Sequence, residues 1–524
     1  MNRVLRSSRL LTLLVLAAVL LGSVSYLKPR YSFNWDIHNK AVQAYSLVQN
    51  GFQSEELYYP GKAVDPAFKF FPQQGNVFLQ IDQRNLSAFP VAFAVISAPW
   101  IWIFGFESLP YASAFGLFLC LVAYARYWRP TPFILTVSVL CTFLWILSVE
   151  YSEHSVFILF CLLSLSLAVK KPGSDLGFLL SGLMCGLTVW FRHEGLVYCA
   201  SLALWIFLSR IGSRKEANLK RTIRRSTLFI LGAGLVVATF SIFNFIDYGH
   251  PLGPRYMINR EGLGVPFLVR LGWAKSLLFF GEFKLGYFGY MPTTLLLFPV
   301  LLYSWKKLSR TNKLILGSSL TYILLVLVIV PNDGFTNWGP RFFGPVVFPF
   351  VILFSKYFYF LKRRRKAAVF RYVLLAGLSF SFLMGLAGIR YIGEGRKQQE
   401  KSDAFYRSSS ADVWIFPDDS IAYMAGVDFF SKIVLRVATP SDLEDLLPKL
   451  RERWPESRVA FFQTDIDKID PRMKTVLASN PALAESVRRT IWREEELDPI
   501  LGRFFRNLRE IKSDRLKGQI GTWK

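Results

Sequence analysis

The sequence predicts a polytopic α-helical membrane protein of about eleven transmembrane helices, with further helices on the outer membrane surface and a soluble C-terminal α/β domain. Three observations carry that prediction. Hydrophobic residues make up 52% of the 524 positions and the mean hydropathy is +0.32, far more apolar than one soluble core requires. The apolar residues fall in runs of bilayer length. The formal charge of +25 is also unevenly spread: residues 391–524 hold 23 Lys/Arg against 22 Asp/Glu, and the first 390 hold 39 against 15. The excess lies mostly in short loops between apolar runs, which is the positive-inside pattern and not that of a groove tracking phosphates. Nucleic acid is therefore not an expected partner.

Taken in order, the runs are Leu10–Leu27, Phe89–Phe106, Leu109–Ala125, Thr131–Val149, Ser155–Val169, Leu176–Phe191, Leu196–Ser209, Ser226–Ile246, Leu285–Trp305, Leu314–Pro331, Gly344–Leu361 and Val369–Ile389. The first follows Arg3, Arg6 and Arg9 and ends near the small residues Gly22-Ser-Val-Ser25, a pattern shared with signal peptides. Its length suffices to span, and the later charges need only an inside amino terminus, so it is read as a span. Inside markers are Arg126 to Arg129, Lys170-Lys171, Arg210 to Arg225, Lys306 to Lys313 and Lys362-Arg-Arg-Arg-Lys366. Alternation from both ends puts the residues after the first run and those before Leu109 on the same, outer side. The run Phe89–Phe106 therefore does not cross, and its Pro90, Pro99, Trp100 and Trp102 suit a broken, aromatic-rich interfacial helix. All five cysteines lie in or beside apolar runs, with no pair at ligand spacing, so neither a disulfide framework nor a zinc site is expected.

After Arg390 the composition turns charged and balanced, which sets expected domains of 1–390 (membrane, with an outer first loop over 28–108) and 391–524 (outer, soluble). Val413–Phe416, Lys432–Arg436 and Arg458–Phe462 read as buried strands. Ser441 to Trp454 reads as a helix capped by Ser441 with Glu444 three residues on, and amphipathic helices are expected near Pro481 to Arg493 and Asp498 to Lys512.

The same alternation gathers polar loops on the outer side, where ionisable residues at a membrane face mark a candidate site. Asp36, in Ser32-Phe-Asn-Trp-Asp-Ile-His-Asn39, sits just beyond the first run. It suits a general base or a metal ligand, and equally a cap for the helix that follows. Glu150 and Glu153 are three residues apart beside His154, so one helical turn would present both carboxylates on one face to a divalent ion or to sugar hydroxyls. Arg192, His193 and Glu194 end one run and begin the next. Arg255, Arg260, Arg270 and Arg341 lie on the side that basic residues normally avoid, and an anionic ligand such as a lipid phosphate would account for them. Arg84 and Lys69 are weaker possibilities for the same task.

In this order the pieces resemble the GT-C class of polytopic glycosyltransferases, in particular bacterial relatives of protein mannosyltransferases and aminoarabinose transferases. The resemblance covers residues 1 to about 390. Asp36 matches the acidic residue soon after the first span. Asp82-Gln-Arg-Asn-Leu-Ser-Ala-Phe-Pro90, with the run after it, matches outer surface helices; Glu150 to His154 matches a second acidic motif. The most specific matches are Asn244-Phe-Ile-Asp-Tyr-Gly-His-Pro-Leu-Gly-Pro-Arg-Tyr256, which looks like the Asn-Tyr, Gly-x-Pro loop, and Trp338-Gly-Pro-Arg-Phe-Phe-Gly-Pro345, which looks like the Trp-Gly-Pro-Arg-Tyr motif. Two positions depart from the pattern: His38 stands where many relatives have a second acid, and Ala88-Phe-Pro90 stands for the usual Tyr-Pro-Pro.

The resemblance implies a transferase of the bacterial inner membrane, with a cytoplasmic amino terminus and a periplasmic C-terminal domain. It would move a sugar from a polyprenyl-phosphate carrier to a periplasmic lipid, glycan or protein acceptor, in contact with membrane lipid. Asp36 would act as base. His38, Asp82, Arg84, Glu150, Glu153, His154, Arg192, Glu194, Arg255 and Arg341 would bind substrate. A divalent ion, Mg or Mn, would be held by Asp36, Glu150 and Glu153 if the reaction uses one. The alternative is a non-catalytic scaffold of the same fold, or a lipid or solute transporter. No internal repeat of the kind transporters show is visible in the sequence.

Overall fold

A computed structural model describes residues 2–31, 34–73, 77–170, 174–211, 216–260, 264–281, 284–332, 334, 339–362, 368–465 and 481–524. By contacts the chain divides into two compact units: unit 1 is Met1–Pro29 with Phe89–Gly393, and unit 2 is Arg30–Ala88 with Glu394–Lys524. The first outer loop is thus built into the same body as the C-terminal segment. The sequence alone drew its boundary near 390 and left that loop with the membrane part.

Unit 1 is helical, as backbone in hydrocarbon must be, since every N–H and C=O there has to be satisfied within the segment. Among the described residues, six helices are long and apolar enough to cross a bilayer: Ser7–Tyr26, Phe106–Trp128, Leu219–Tyr248, Arg310–Ile329, Arg341–Tyr359 and Ala368–Ser408. Shorter apolar helices cover Val91–Phe104, His154–Lys170, Asp175–Trp190, Glu194–Ser209 and Pro292–Tyr303. The run at Thr131–Val149 is broken into Pro132–Leu140, capped by Thr131, and Leu144–Val149. In Phe89–Phe106, Pro90 precedes a helix of 14 residues with Pro99 inside it, about 21 Å long against a hydrocarbon core of about 30 Å. Among the charge markers, Lys171 and residues 212–215 and 363–366 lie outside the described residues.

Helices Asp175–Leu187 and Glu216–Tyr248 approach each other closely, and glycine permits it. A Cβ on Gly182 would fall on the Phe229 carbonyl, one on Gly186 would lie 2.7 Å from Val236 Cβ, and one on Gly232 would fall on the Leu179 carbonyl.

Unit 2 carries a five-stranded mixed sheet. Strands β1 (Phe78–Ile81) and β2 (Arg84–Ser87) form a hairpin, and β3 (Phe280–Gly281) and β4 (Lys284–Leu285) a minimal pair in unit 1. The sheet comprises β5 (Val413–Phe416), β6 (Ile433–Arg436), β7 (Arg458–Thr464), β8 (Phe505–Lys512) and β9 (Leu516–Trp523), in the order β6-β5-β7-β9-β8. β5 is parallel to β6 and β7; β9 is antiparallel to β7 and β8. Tyr406, on the end of helix Ala368–Ser408, packs against Trp414, Phe416 and Phe462 on one sheet face. Phe461, Trp492, Phe505 and Trp523 form an aromatic row on the other.

The first loop is part of this body. Arg436 N–H donates to Phe70 O at 2.8 Å, Lys69 pairs with Asp442 at 2.5 Å, and Tyr45 packs on Phe430.

Four local expectations are corrected. Asp82 and Gln83 are not helical: they turn the β1–β2 hairpin with φ of 48° and 63°, the left-handed pair of a type I′ turn. The helix expected from Ser441 is Pro440–Arg453, capped by the Thr439 side chain, which accepts from Asp442 N–H. The last expected helix is Glu494–Phe504 followed by strand β8. Asp36 does not cap its helix; Asn34 does, accepting from Ile37 N–H at 3.0 Å.

Replacing Gly182 by Val should cost about 1–3 kcal/mol or prevent folding, read as a lower melting temperature or loss of the monodisperse peak in detergent. Gly234→Ala, where nothing lies within 4 Å of the added Cβ, should leave stability unchanged or raise it by up to ~1 kcal/mol. Equal behaviour of the two variants would mean the close helix approach is absent.

Candidate functional site

The candidate residues fall in both units, and each group is built by its own local structure. In unit 2, Asp36 lies half-exposed in the first turn of helix Trp35–Gln49, where the helix N-terminus favours negative charge. His38, two residues further along the helix, is fully buried, its ring edge-on to Phe429 at 5.3 Å and stacked on Phe430 at 6.0 Å. Burial lowers its pKa to about 3, so it is a neutral core residue. That corrects its assignment to substrate. Asp82 is exposed at the hairpin tip and Arg84 begins β2, half-exposed. Lys69 is engaged by Asp442.

In unit 1, the turn carrying Glu150 to His154 is clamped by one hydroxyl: Ser113 Oγ donates to Ser152 O at 2.9 Å and accepts from Ser152 N–H at 2.8 Å. The clamp leaves Glu150 half-exposed and turns Glu153 and His154 inward, both buried. Arg192 follows the 3₁₀ turn Thr188–Trp190 and reaches Glu153 at 2.6 Å and Glu194 at 2.7 Å. His154 Nε2 lies 3.5 Å from the same guanidinium. The three ion-paired residues together carry one negative charge, so Arg192 is occupied by carboxylates and does not present a free cation to phosphate. Glu153, so held, does not fit the metal role expected for it. Among the described residues no three His, Cys, Asp or Glu gather as a metal-holding group.

The remaining outer arginines differ from one another. Arg270 donates to Val328 O and, at 3.4 Å, to Val330 O, so it caps the carbonyl end of helix Arg310–Ile329. That gives Arg270 a structural role that needs no ligand. Arg255 lies 4.8 Å over the Phe89 ring, a cation–π contact. Arg341 is buried in the turn Arg341–Phe343, with its guanidinium 5.6 Å from the Phe342 ring, and Arg192 is at the same distance. Tyr322 Oη donates to Phe342 O at 2.8 Å and fixes that turn.

Both specific motifs are held by glycine. Gly253 has φ of 69°, and a Cβ there would meet the Asn244 side chain, 2.9 Å from its Cγ; Asn244 in turn donates to Phe240 O at 2.8 Å. Gly339 has φ of 84°, with Phe143 Cβ 2.9 Å from the position of a Cβ. Asn337 and Trp338 of that motif lie outside the described residues. Unit 1 also has an apolar cavity of about 700 Å³ lined by Leu20, Leu21, Ser25, Trp100, Tyr111 and Phe118 among others; no candidate residue lines it.

One cluster was not foreseen. In unit 2, Asp403 and Asp428, both buried, share Arg407, whose Nε and Nη2 bond Asp428 at 2.8 and 2.6 Å and whose Nε reaches Asp403 at 3.2 Å. Arg30 approaches both carboxylates at 3.9 and 4.0 Å. Burial, then the neighbouring Asp428 carboxyl, pushes Asp403 up to about 7. Helix Ala368–Ser408 has 41 residues, about 60 Å, twice the hydrocarbon core; Asp403 lies in its charged part, beyond the apolar stretch. The only sequence hint was Asp403 and Arg407 one helical turn apart.

No family model matches the chain, and no curated protein matches it in sequence. Among solved structures, ArnT from Cupriavidus metallidurans in the apo state superposes with a TM-score of 0.50 at 9% identity, over 97% of this chain and 97% of that one. The structure of the same protein bound to undecaprenyl phosphate gives 0.49 at 9% identity, again over 97% of each chain. The chain is thus a multi-pass membrane protein with the GT-C fold. Its particular likeness is to ArnT, and at this identity it is a likeness of fold.

Two outcomes test these geometries. Arg192→Gln leaves Glu153 and Glu194 buried without their cation and should cost about 3–5 kcal/mol; adding Glu153→Gln and Glu194→Gln should recover most of it. A loss no greater than that of the exposed Arg260→Gln would remove the trio from the structural core. For Asp403, the folded pKa of about 7 lies above the usual 3.8, so folded protein keeps a proton that the unfolded chain has released. Stability is then full at acid pH and falls as pH rises from about 4 to about 7. Asp403→Asn should flatten that fall in melting temperature, and an unchanged slope would contradict the assignment.

Proposed function

We propose that the chain is a glycosyltransferase of the bacterial inner membrane that moves a sugar from a polyprenyl-phosphate carrier to a periplasmic lipid, glycan or protein. The observation that carries this reading is the likeness of fold to apo ArnT over 97% of both chains, joined to a carboxylate, Asp36, a few residues past the first apolar helix. ArnT is a protein that binds undecaprenyl phosphate, which suggests a lipid phosphate as the carrier here. The apolar cavity in unit 1 is of a size that suits a hydrocarbon chain.

In the proposed reaction, Asp36 takes the proton of the acceptor hydroxyl as its oxygen attacks the anomeric carbon. The bond from that carbon to the phosphate oxygen breaks, and the configuration inverts. Charge grows on the leaving phosphate, and Arg84, Arg255 and Arg341 are the residues assigned to it; Arg192 is not, because its guanidinium is already paired. Glu150 is assigned to sugar hydroxyls. No step runs through a metal.

Because Asn34 supplies the helix cap, Asp36→Asn leaves that cap in place and removes only the base. Transfer followed in nanodiscs from a labelled polyprenyl-phosphate sugar should fall by ~10²- to 10⁴-fold, with melting temperature and carrier binding unchanged. Near wild-type turnover would sink the assignment of Asp36. Absence of transfer by the wild-type protein across a broad donor set, with carrier binding also absent, would favour the non-catalytic scaffold.

A further inference from the structure

The last 24 residues of unit 2 are its most basic part: 501–524 hold seven Lys/Arg against two Asp/Glu. Two strands, β7 and β8, place arginines together on one surface on either side of β9. In the register of the sheet, Arg458 of β7 and Arg506 of β8 stand on either side of Thr522 of β9. Strands are about 4.8 Å apart, so the two arginine Cα atoms are separated by ~10 Å, a span that two extended side chains close easily. Directly opposed residues project to the same face.

Arg509 joins them because of an irregularity. It pairs with Ile520, two residues from Thr522, while three steps separate it from Arg506. In a regular strand, residues three apart face opposite ways. The bulge at Asn507, with φ of 55°, absorbs one residue and re-aims Arg509 to the face of Arg506.

That face is the one on which Tyr406 covers Trp414, Phe416 and Phe462, since Arg458, Ala460 and Phe462 alternate along β7. The helix covers β5 and β7 and stops short of β8, so Arg458, Arg506 and Arg509 are exposed beside half-exposed Thr522 and Ile520. Other bases of the unit meet acids: Arg503 pairs with Glu444, Lys517 with Glu494 and Arg407 with Asp428. The guanidinium groups of Arg458, Arg506 and Arg509 make no ion pair among the described residues; the one nearby carboxylate contact is from the Arg458 backbone N–H to Asp412 at 3.2 Å. Like charges held at neighbouring positions of a sheet repel, and a multiply charged oxyanion offsets that cost with bidentate bonds.

We infer that Arg458, Arg506 and Arg509 form a binding site for a phosphomonoester, carried by a lipid headgroup or a free anion, on the open face of the C-terminal sheet. The inference concerns unit 2 alone and stands whether or not the chain transfers sugar.

The test uses the full chain in neutral detergent, titrated with short-chain phosphatidic acid, with phosphatidylcholine of the same chain length, and with inorganic phosphate. The wild-type protein should bind phosphatidic acid at least ~10-fold more tightly than phosphatidylcholine. The triple variant Arg458→Gln, Arg506→Gln, Arg509→Gln should lose that preference while keeping or slightly raising its melting temperature. A control with the same change of charge on exposed helix positions, Lys449→Gln, Arg451→Gln, Arg453→Gln, should bind as wild type. Equal loss in triple and control, or no preference in the wild type, overturns the site. Affinity for inorganic phosphate equal to that for phosphatidic acid assigns the site to a free anion, and tighter binding of phosphatidic acid assigns it to a lipid headgroup.

Discussion

The need to satisfy backbone hydrogen bonds away from water governs unit 1 more than any single side chain does. It makes the apolar runs largely helical, and at several irregular turns among the described residues side chains complete the backbone. The turn at Glu150 to His154 exists because Ser113 bonds both the N–H and the C=O of Ser152. The turn at Arg341 is held by Tyr322. The carbonyls at the end of helix Arg310–Ile329 are met by Arg270. These loops therefore present their ionisable groups from fixed positions.

Buried charge obeys a second rule, that it is kept only with a partner. Glu153 is held by Arg192 beside apolar helices, and buried Asp403 and Asp428 are held by Arg407, itself exposed, beside a sheet. They differ in balance. The glutamates hold a single arginine, whereas the aspartates have Arg30 as well as Arg407, and burial still keeps one of them close to neutrality in its titration. A count of charges in the sequence cannot distinguish a cation available to a ligand from one already enclosed.

Much of the helical architecture was legible because hydropathy and loop charge are read one segment at a time. Runs such as Leu109–Ala125 and Gly344–Leu361 became helices within a few residues of their expected ends. Strands β5, β6 and β7 were legible for the same reason: each is a short apolar run. β8 was not, since Arg506 to Lys512 carries charge on most positions and a bulge interrupts its alternation. Asp82-Gln83 escaped because neither residue is the glycine that a left-handed turn usually advertises. In the candidate site, the position of Asp36 was readable but its cap was misassigned by two residues. The burial of His38 and the capture of Arg192 depend on Phe429, Phe430 and Glu153, residues distant in sequence, so no local pattern announces them.

The bond from Arg436 N–H to Phe70 O, with the pairing of Lys69 to Asp442, has a consequence in time. Strand β6 is the edge of its sheet, and the residue that meets its outer side was synthesised more than three hundred residues earlier. At ~5–20 residues per second, the first loop waits roughly 20 to 70 s for the segment it packs against. During that interval Phe68, Phe70 and Phe71, all buried in the finished protein, have no sheet to cover them. Biosynthesis of this chain thus includes a period in which an aromatic-rich segment needs a chaperone or a membrane surface to shelter it.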